Sequence, residues 1–433
     1  MRETLIESLG VTLYEETLDN GLHVALLPRP GFQQVFVTLT TRFGSTDQTV
    51  DVPGRGEAWV VPDGVAHFLE HKMFDMPTGD VFADFAKHGA AANAFTSFEQ
   101  TTYLFSCTED LTENTRILLD YVQTPYFTDA SVEKEKGIIG QEIRMYDDNP
   151  DWRCFFGLLQ CLYQRHPLRI PIAGTIESIA QIDTDLLYRC YETFYHPGNM
   201  LFFAAGGFDP AALLEVVREN QAGKAFPDCP RVERNLPTEP VGIRQGRNVA
   251  QLGVSQARCL IGWKDGQTGL AGAELLRQEL LTGVILDTLF GRGSDFYHLL
   301  LDEGLIDQHF SWEYEASNSY GYTLLGGNTT DVDTLVGRVD ETIESVIRKG
   351  LSAEAFERNV RKAMGRFVLG FDSPSGIARN YTAYWVKGVD WLDSLAVLNS
   401  LTLEEAQQRL AEHLVPELRA VSVIEPVSIA TGA

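Results

Sequence analysis
Between Phe226 and Gly242 the chain reads FPDCPRVERNLPTEPVG, and no other stretch limits its fold so strongly. Its four prolines remove backbone donors and bar the interior of a helix or a central strand. The same succession, strands and then helices, lies on either side of it. A chain of 433 residues is also long for one hydrophobic core. These features predict two tandem α+β domains of similar design, each a mostly antiparallel sheet packed with helices. We place them at residues 1–228 and 244–433, with 229–243 as linker. No residue-level repeat supports the duplication, which rests on segment order alone.

On the N-terminal side, LHVALLP and Gln33–Ser45 are rich in Val, Phe and Thr and read as strands. Gly64–Phe74 has helical spacing, and Asp63 is the expected N-cap. Val81–Lys87 reads as a short helix. Ala90–Cys107 reads as two strands joined by a turn near Ser97–Gln100. Helices are expected after Thr108, over about Ala130–Asp147, and over Ile176–Tyr195. His196–Val217 reads as turn, buried strand, turn and helix. Beyond the linker, VSQARCLIGWK reads as a strand, followed by the helices LAGAELLRQELLTGVILDTLF and SDFYHLLLDEG. Paired strands are expected over Gln308–Thr329, then helices over much of Asp331–Phe367 and over Ser373–Lys387.

The segment GVAHFLEHKMF, Gly64–Phe74, carries the chemistry. His67 and His71 are four apart, so both imidazoles lie on one helix face about 6 Å apart. Neutral imidazole is a common zinc ligand. Glu70 lies about 60° around the helix from His67, away from His71. A carboxylate there stands beside the ion and can take a proton from a water that zinc acidifies. A catalytic zinc needs a third protein ligand. The Glu-rich segment SVEKEKGIIGQEIRMYDDNP offers Glu135 and Glu142, seven apart on one helix face. Gly137 and Gly140 lie between them, and each costs about 1 kcal/mol in a helix interior relative to Ala. Close approach of another backbone, that of the His67–His71 helix, is the expected reason for them. Taken alone, Glu135 and Glu142 read as solvated helix charges, and HGAAANAF as packing and turn sequence.

The order His-x-x-Glu-His inverts the commoner zinc-protease order. With it, the chain resembles the pitrilysin/insulinase family of zinc peptidases, which includes mitochondrial processing peptidases. It is most similar to bacterial members of about this length. The resemblance runs through GVAHFLEHKMF, GAAANAFTSFEQTTYLFSC and FYHPGNMLFFAAGGFD, and more loosely through GRGSDFYHLLLDEGLID. It implies two such domains facing each other across a chamber, and cleavage of peptides or unfolded segments. It implies that His67, His71 and Glu142 hold one zinc ion per chain, with Glu70 as general base and Glu135 steadying the site. It also implies that Asn93, Ala94 and Phe95 offer backbone groups to an extended substrate. The family's arginine and tyrosine, seven apart in the later domain, fall on Leu300 and Asp307, which cannot donate to an oxyanion. A paralogous partner subunit is therefore expected to supply that pair in a heterodimer, a homodimer being the other assembly. The rival reading is a non-catalytic binding or assembly subunit that keeps the peptidase fold.

A net charge of −25 repels phosphate backbones, which disfavours nucleic acid as a partner. The N-terminal segment has no apolar core of signal-peptide length, and no run of about 18 apolar residues predicts a membrane span. Six scattered cysteines without a Cys-x-x-Cys pair suit free thiols in a reducing cytoplasm.

Overall fold
The computed structural model describes residues 1–53, 57–77 and 79–427. Residues group into two compact units, each an open sheet with helices. The first unit is built on β1 (Arg2–Ile6), β2 (Val11–Thr17), β3 (His23–Pro28), β4 (Val35–Thr41), β5 (Ala91–Thr96), β6 (Thr101–Cys107) and β7 (Met200–Gly206). Their order across the sheet is β1-β2-β3-β7-β4-β6-β5. Only β3 and β7 run parallel; the other pairs are antiparallel. Every residue of β4 (VFVTLTT) and β7 (MLFFAAG) is buried, as expected of central strands covered on both faces.

The second unit is built on β8 (Arg247–Leu252), β9 (Ala257–Lys264), β10 (Ser311–Ala316), β11 (Gly321–Thr329) and β12 (Arg419–Pro426). Their order is β8-β12-β9-β11-β10, again with one parallel pair, β8 with β12. The five strands β3 to β7 of the first sheet follow the same path: first, fifth, second, fourth, third. The duplication expected from segment order is therefore present in the backbone topology.

The helices that set the site are α1 (Val65–Lys72) and α2 (Asp129–Asp147). Two others are exchanged between the halves of the sequence: α3 (Pro150–Leu162) and α4 (Pro374–Lys387). The first unit comprises Met1–Ile143, Ile170–Leu236 and Val368–Val386; the second comprises Arg144–Arg169, Pro237–Phe367 and Lys387–Ala433. A linear partition at 228 and 244 passes over this exchange. Helix α3 lies on the second sheet, where the Cys154 thiol donates to Ser422 O at 3.3 Å and Tyr163 Oη to Gly321 O at 2.7 Å. A Cβ at Gly157 would stand 2.5 Å from Asn248 Nδ2 and 2.6 Å from Ser422 Oγ, so a larger residue would have to displace those side chains for α3 to sit this low. Helix α4 lies on the first sheet. There Thr382 Oγ1 meets Thr38 Oγ1 at 3.3 Å, Tyr381 stacks on Phe203 with centroids 4.4 Å apart, and Arg42 donates to Trp385 O at 3.0 Å.

The proline-rich stretch ends in a clamp. Glu239 accepts from the amides of Gln164, Arg165 and His166 at 2.9, 2.7 and 2.7 Å, and from Lys264 Nζ at 2.6 Å. Four sequence expectations differ in detail. The first two strands and α3 were not anticipated. The Ile176–Tyr195 segment is two helices, Ile176–Ile179 and Thr184–Phe194, because Asp183 caps the second by accepting from Leu186 N at 2.8 Å. Asp63 does not cap α1: its carboxylate accepts from Gln48 Nε2, and the N-cap is Gly64 at φ 90°. Gly137 and Gly140 are not sites of close backbone approach, since a Cβ would meet nothing at 137 and only the Ile176 side chain, at 3.4 Å, at 140.

Candidate metal centre
Helix α1 is short and nearly all buried, and its sequence VAHFLEHK contains neither Gly nor Pro. Its start is fixed by a backbone interlock. A Cβ on Gly64 would fall 2.5 Å from Ala173 O, and one on Gly174, at φ 73°, would fall 2.5 Å from Asp63 O. Ser178 Oγ adds a 2.7 Å hydrogen bond to Asp63 O. Phe68 and Leu69 are fully buried, which fixes the rotation of the helix about its axis. That rotation turns His67 and His71 together, with ring centroids 4.6 Å apart.

Helix α2 begins at a reciprocal cap, in which Ser131 N donates to Thr128 Oγ1 and Thr128 N to Ser131 Oγ. Its buried stripe is Val132, Glu135, Ile139, Gly140 and Ile143, so Glu135 occupies a core-facing position. Glu135 Oε1 lies 3.0 Å from His71 Nδ1. That contact places the ring proton on Nδ1 and leaves Nε2 free to bind a cation. Two turns on, Glu142 stands between the imidazoles: Oε1 is 3.7 Å from His67 Nε2 and Oε2 is 3.6 Å from His71 Nε2.

Those separations are too long for hydrogen bonds. They suit donors around one ion, since ligands held at about 2.0–2.1 Å on a tetrahedral zinc stand roughly 3.4 Å apart. His67, His71 and Glu142 each present a donor atom within 4.8 Å of the others. The set of two imidazoles and one carboxylate is one that zinc accepts, and it leaves a position open. The residues therefore fit the metal.

Glu70 is buried, and its Oε2 accepts from Thr96 Oγ1 at 2.6 Å. Burial raises the Glu70 pKa, an effect the Thr96 hydrogen bond opposes in part. Burial pushes His67 down to about 4, helped by neighbouring His71 and opposed by Glu142. For His71, burial pulls the pKa down, but the Glu135 hydrogen bond and the surrounding carboxylates outweigh it and the net shift is upward. A partly buried cluster of three carboxylates around two imidazoles favours a divalent cation.

Asn93, Ala94 and Phe95 lie on β5, the edge strand of the first sheet, which pairs only with β6 among the described residues. The Ser97–Gln100 turn joins these strands as expected, with Ser97 N donating to Gln100 O at 2.8 Å. Ala94 N donates to Asn93 Oδ1 at 2.9 Å, and the Arg379 guanidinium lies 5.8 Å from the centre of the Phe95 ring. Sequence reading gave no role to Thr96 or Arg379, because neither contact is visible in local spacing. Leu300 is fully buried in the second core. Asp307 accepts from Asn328 Nδ2 at 2.7 Å and from His309 N at 2.8 Å.

A family model described as Insulinase (Peptidase family M16) matches residues 40–176, and one described as Peptidase M16 inactive domain matches residues 181–363. A Bacillus subtilis (strain 168) protein named uncharacterized zinc protease YmfH is 44% identical over 424 residues, covering 98% of each chain. The crystal structure of an M16-like peptidase from Alicyclobacillus acidocaldarius aligns with TM-score 0.94 and 44% identity over 97% of this chain and 99% of that one. A protease from Helicobacter pylori shares the fold, with TM-score 0.79 and 18% identity over 96% of this chain and 99% of that one.

Proposed function
The chain belongs to peptidase family M16, the insulinase family, and from that premise we propose that it is a zinc-dependent metalloendopeptidase acting on peptides or unfolded segments. The observation that carries this reading is the approach of Glu142 to both imidazole Nε2 atoms, at 3.7 and 3.6 Å, with Glu70 alongside. In this reading His67, His71 and Glu142 hold one zinc ion, and Glu135 orients His71 through Nδ1. When bound there, zinc supplies Lewis acidity, polarising a scissile carbonyl and lowering the pKa of a water towards about 7.

Glu70 is the general base. Its carboxylate takes a proton from the attacking water and then delivers it to the leaving amine. The raised Glu70 pKa suits a group that must both accept and return a proton. An extended peptide adds to the open edge of β5 at Asn93, Ala94 and Phe95, so main-chain pairing presents a carbonyl without demanding a particular side chain. The positions matched to the family's arginine and tyrosine are occupied by Leu300 and Asp307, so the reading includes a paralogous partner subunit that supplies those donors. Among the described residues no helix is long and apolar enough to cross a membrane; a cytoplasmic setting is part of the proposal.

The buried Leu300 and the hydrogen-bonded Asp307 also favour the second reading, a binding or assembly subunit. One experiment separates the two. Zinc content is measured by elemental analysis, and cleavage of an unstructured peptide is then followed for wild type and Glu70→Gln, with and without the paralogous subunit. The peptidase reading expects one zinc per chain in both proteins and turnover only with Glu70. Cleavage by Glu70→Gln at the wild-type rate overturns the general-base role. Zinc-loaded wild type that cleaves nothing in either setting favours the assembly reading.

A further inference from the structure
We infer that Thr96 is a positioning residue for the Glu70 carboxylate and mechanically links it to the strand that receives the peptide. The inference rests on the peptidase reading above and adds a residue to it. Thr96 is the last residue of β5, directly after the Asn93–Phe95 segment, and its backbone is paired with Thr101 of β6. Its hydroxyl donates to Glu70 Oε2 at 2.6 Å, a short bond to a carboxylate acceptor. Among the described residues no other hydrogen bond reaches that carboxylate.

The direction of the bond is set by its surroundings. Thr101 Oγ1 lies 3.3 Å from Thr96 Oγ1, but it donates to Phe43 O at 2.9 Å. A hydroxyl has a single proton. That of Thr101 is committed to the Phe43 carbonyl, so Thr101 Oγ1 can only accept; the Thr96 proton goes to the Glu70 carboxylate, the charged acceptor and the shorter contact, 2.6 Å against 3.3 Å. Threonine is stiff at χ1, so the backbone of β5 decides where its hydroxyl points. Held by Oε2, the Glu70 carboxylate keeps Oε1 for proton exchange. A peptide pairing with the outer edge of β5 converts an edge strand into an interior one and steadies Thr96. Substrate binding and alignment of the base are thereby coupled through one side chain.

Thr96→Val removes the hydroxyl and keeps the shape; Thr96→Ser keeps the hydroxyl. For the full chain, assayed with whichever subunit supports turnover, Thr96→Val is expected to lower kcat about 10- to 100-fold, the range for a misaligned catalytic group. KM and zinc stoichiometry are expected to stay unchanged, and Thr96→Ser to recover most of the loss. A readout independent of activity is the crystal structure of the zinc-loaded variants. Glu70 is expected to leave its rotamer in Thr96→Val and to keep it in Thr96→Ser. Wild-type kcat in Thr96→Val, or an unmoved Glu70 carboxylate in its structure, overturns the inference. Zinc-loaded wild type that cleaves nothing, with or without the paralogous subunit, overturns the peptidase reading instead, so the two failures are distinct.

Discussion

The imidazole of His71 is held from both sides by one helix: Nδ1 lies 3.0 Å from Glu135 Oε1, and Nε2 lies 3.6 Å from Glu142 Oε2. Two carboxylates seven residues apart thus address the two nitrogens of a single ring, one fixing its tautomer and the other its metal-facing side. Glu135→Gln keeps the length of the side chain but offers a weaker, neutral acceptor. Zinc affinity is expected to fall about 10- to 100-fold without being abolished, measured by competition against a chelator of known affinity. Unchanged affinity would show that Glu135 does not orient the ring.

Gly64 and Gly174 interlock at the start of α1, with φ of 90° and 73°. Gly64→Ala drives a methyl group towards Ala173 O from a backbone conformation that alanine disfavours. Stability is expected to drop by about 2 kcal/mol or more, seen as a lower Tm. The drop should be partly offset by added zinc, because a ligand of the native state raises its stability. A Tm equal to wild type would mean that the loop at 173–174 yields readily.

Acid should destabilise the fold before the bulk of the carboxylates titrate. Burial, with Lys264 adding to it, holds His166 down to about 4, and burial beside Arg409 holds His413 down to about 3. Both native values lie below the unfolded value of about 6.5. As pH falls below that value, the unfolded chain binds protons that the native chain refuses, so stability declines from about pH 6.5 to about pH 4. Each such proton contributes a slope of up to about 1.4 kcal/mol per pH unit. Urea denaturation at pH 7 and pH 5 measures this. His413→Gln, which can still hydrogen-bond Thr323, should flatten the slope; an unchanged slope would remove His413 from the account.

The local chemistry of α1 was legible in the sequence because a pair four residues apart is set by helix geometry alone. That Glu135 and Glu142 share a face of α2 was legible for the same reason, and the ends of that helix were read to within a residue. What spacing does not encode is which long-range acceptor takes a side chain. Asp63 has the residue type of an N-cap, yet Gln48 claims its carboxylate. Gly137 and Gly140 suggested a close helix crossing, yet Gly157, in a helix not anticipated, is where a close approach occurs. That helix was not read although its start signal is local: Asn149 caps it by accepting from Asp151 N and Trp152 N at 2.9 and 3.1 Å, with Pro150 in its first turn. The duplication was legible only as segment order, since the shared strand path is built from different side chains in each half.

The exchange of α3 and α4 also has a consequence for how the chain is born. The strands of the first sheet have all left the ribosome by Gly206, but the helix that lies on Thr38 and Phe203 is not synthesised until Pro374–Lys387. During that interval this sheet face waits uncovered, open to chaperones and to mispairing with another nascent chain. Completion of the first half is therefore an event of late translation, and a ribosome stalled in the proline-rich stretch would release a fragment unable to finish its own core.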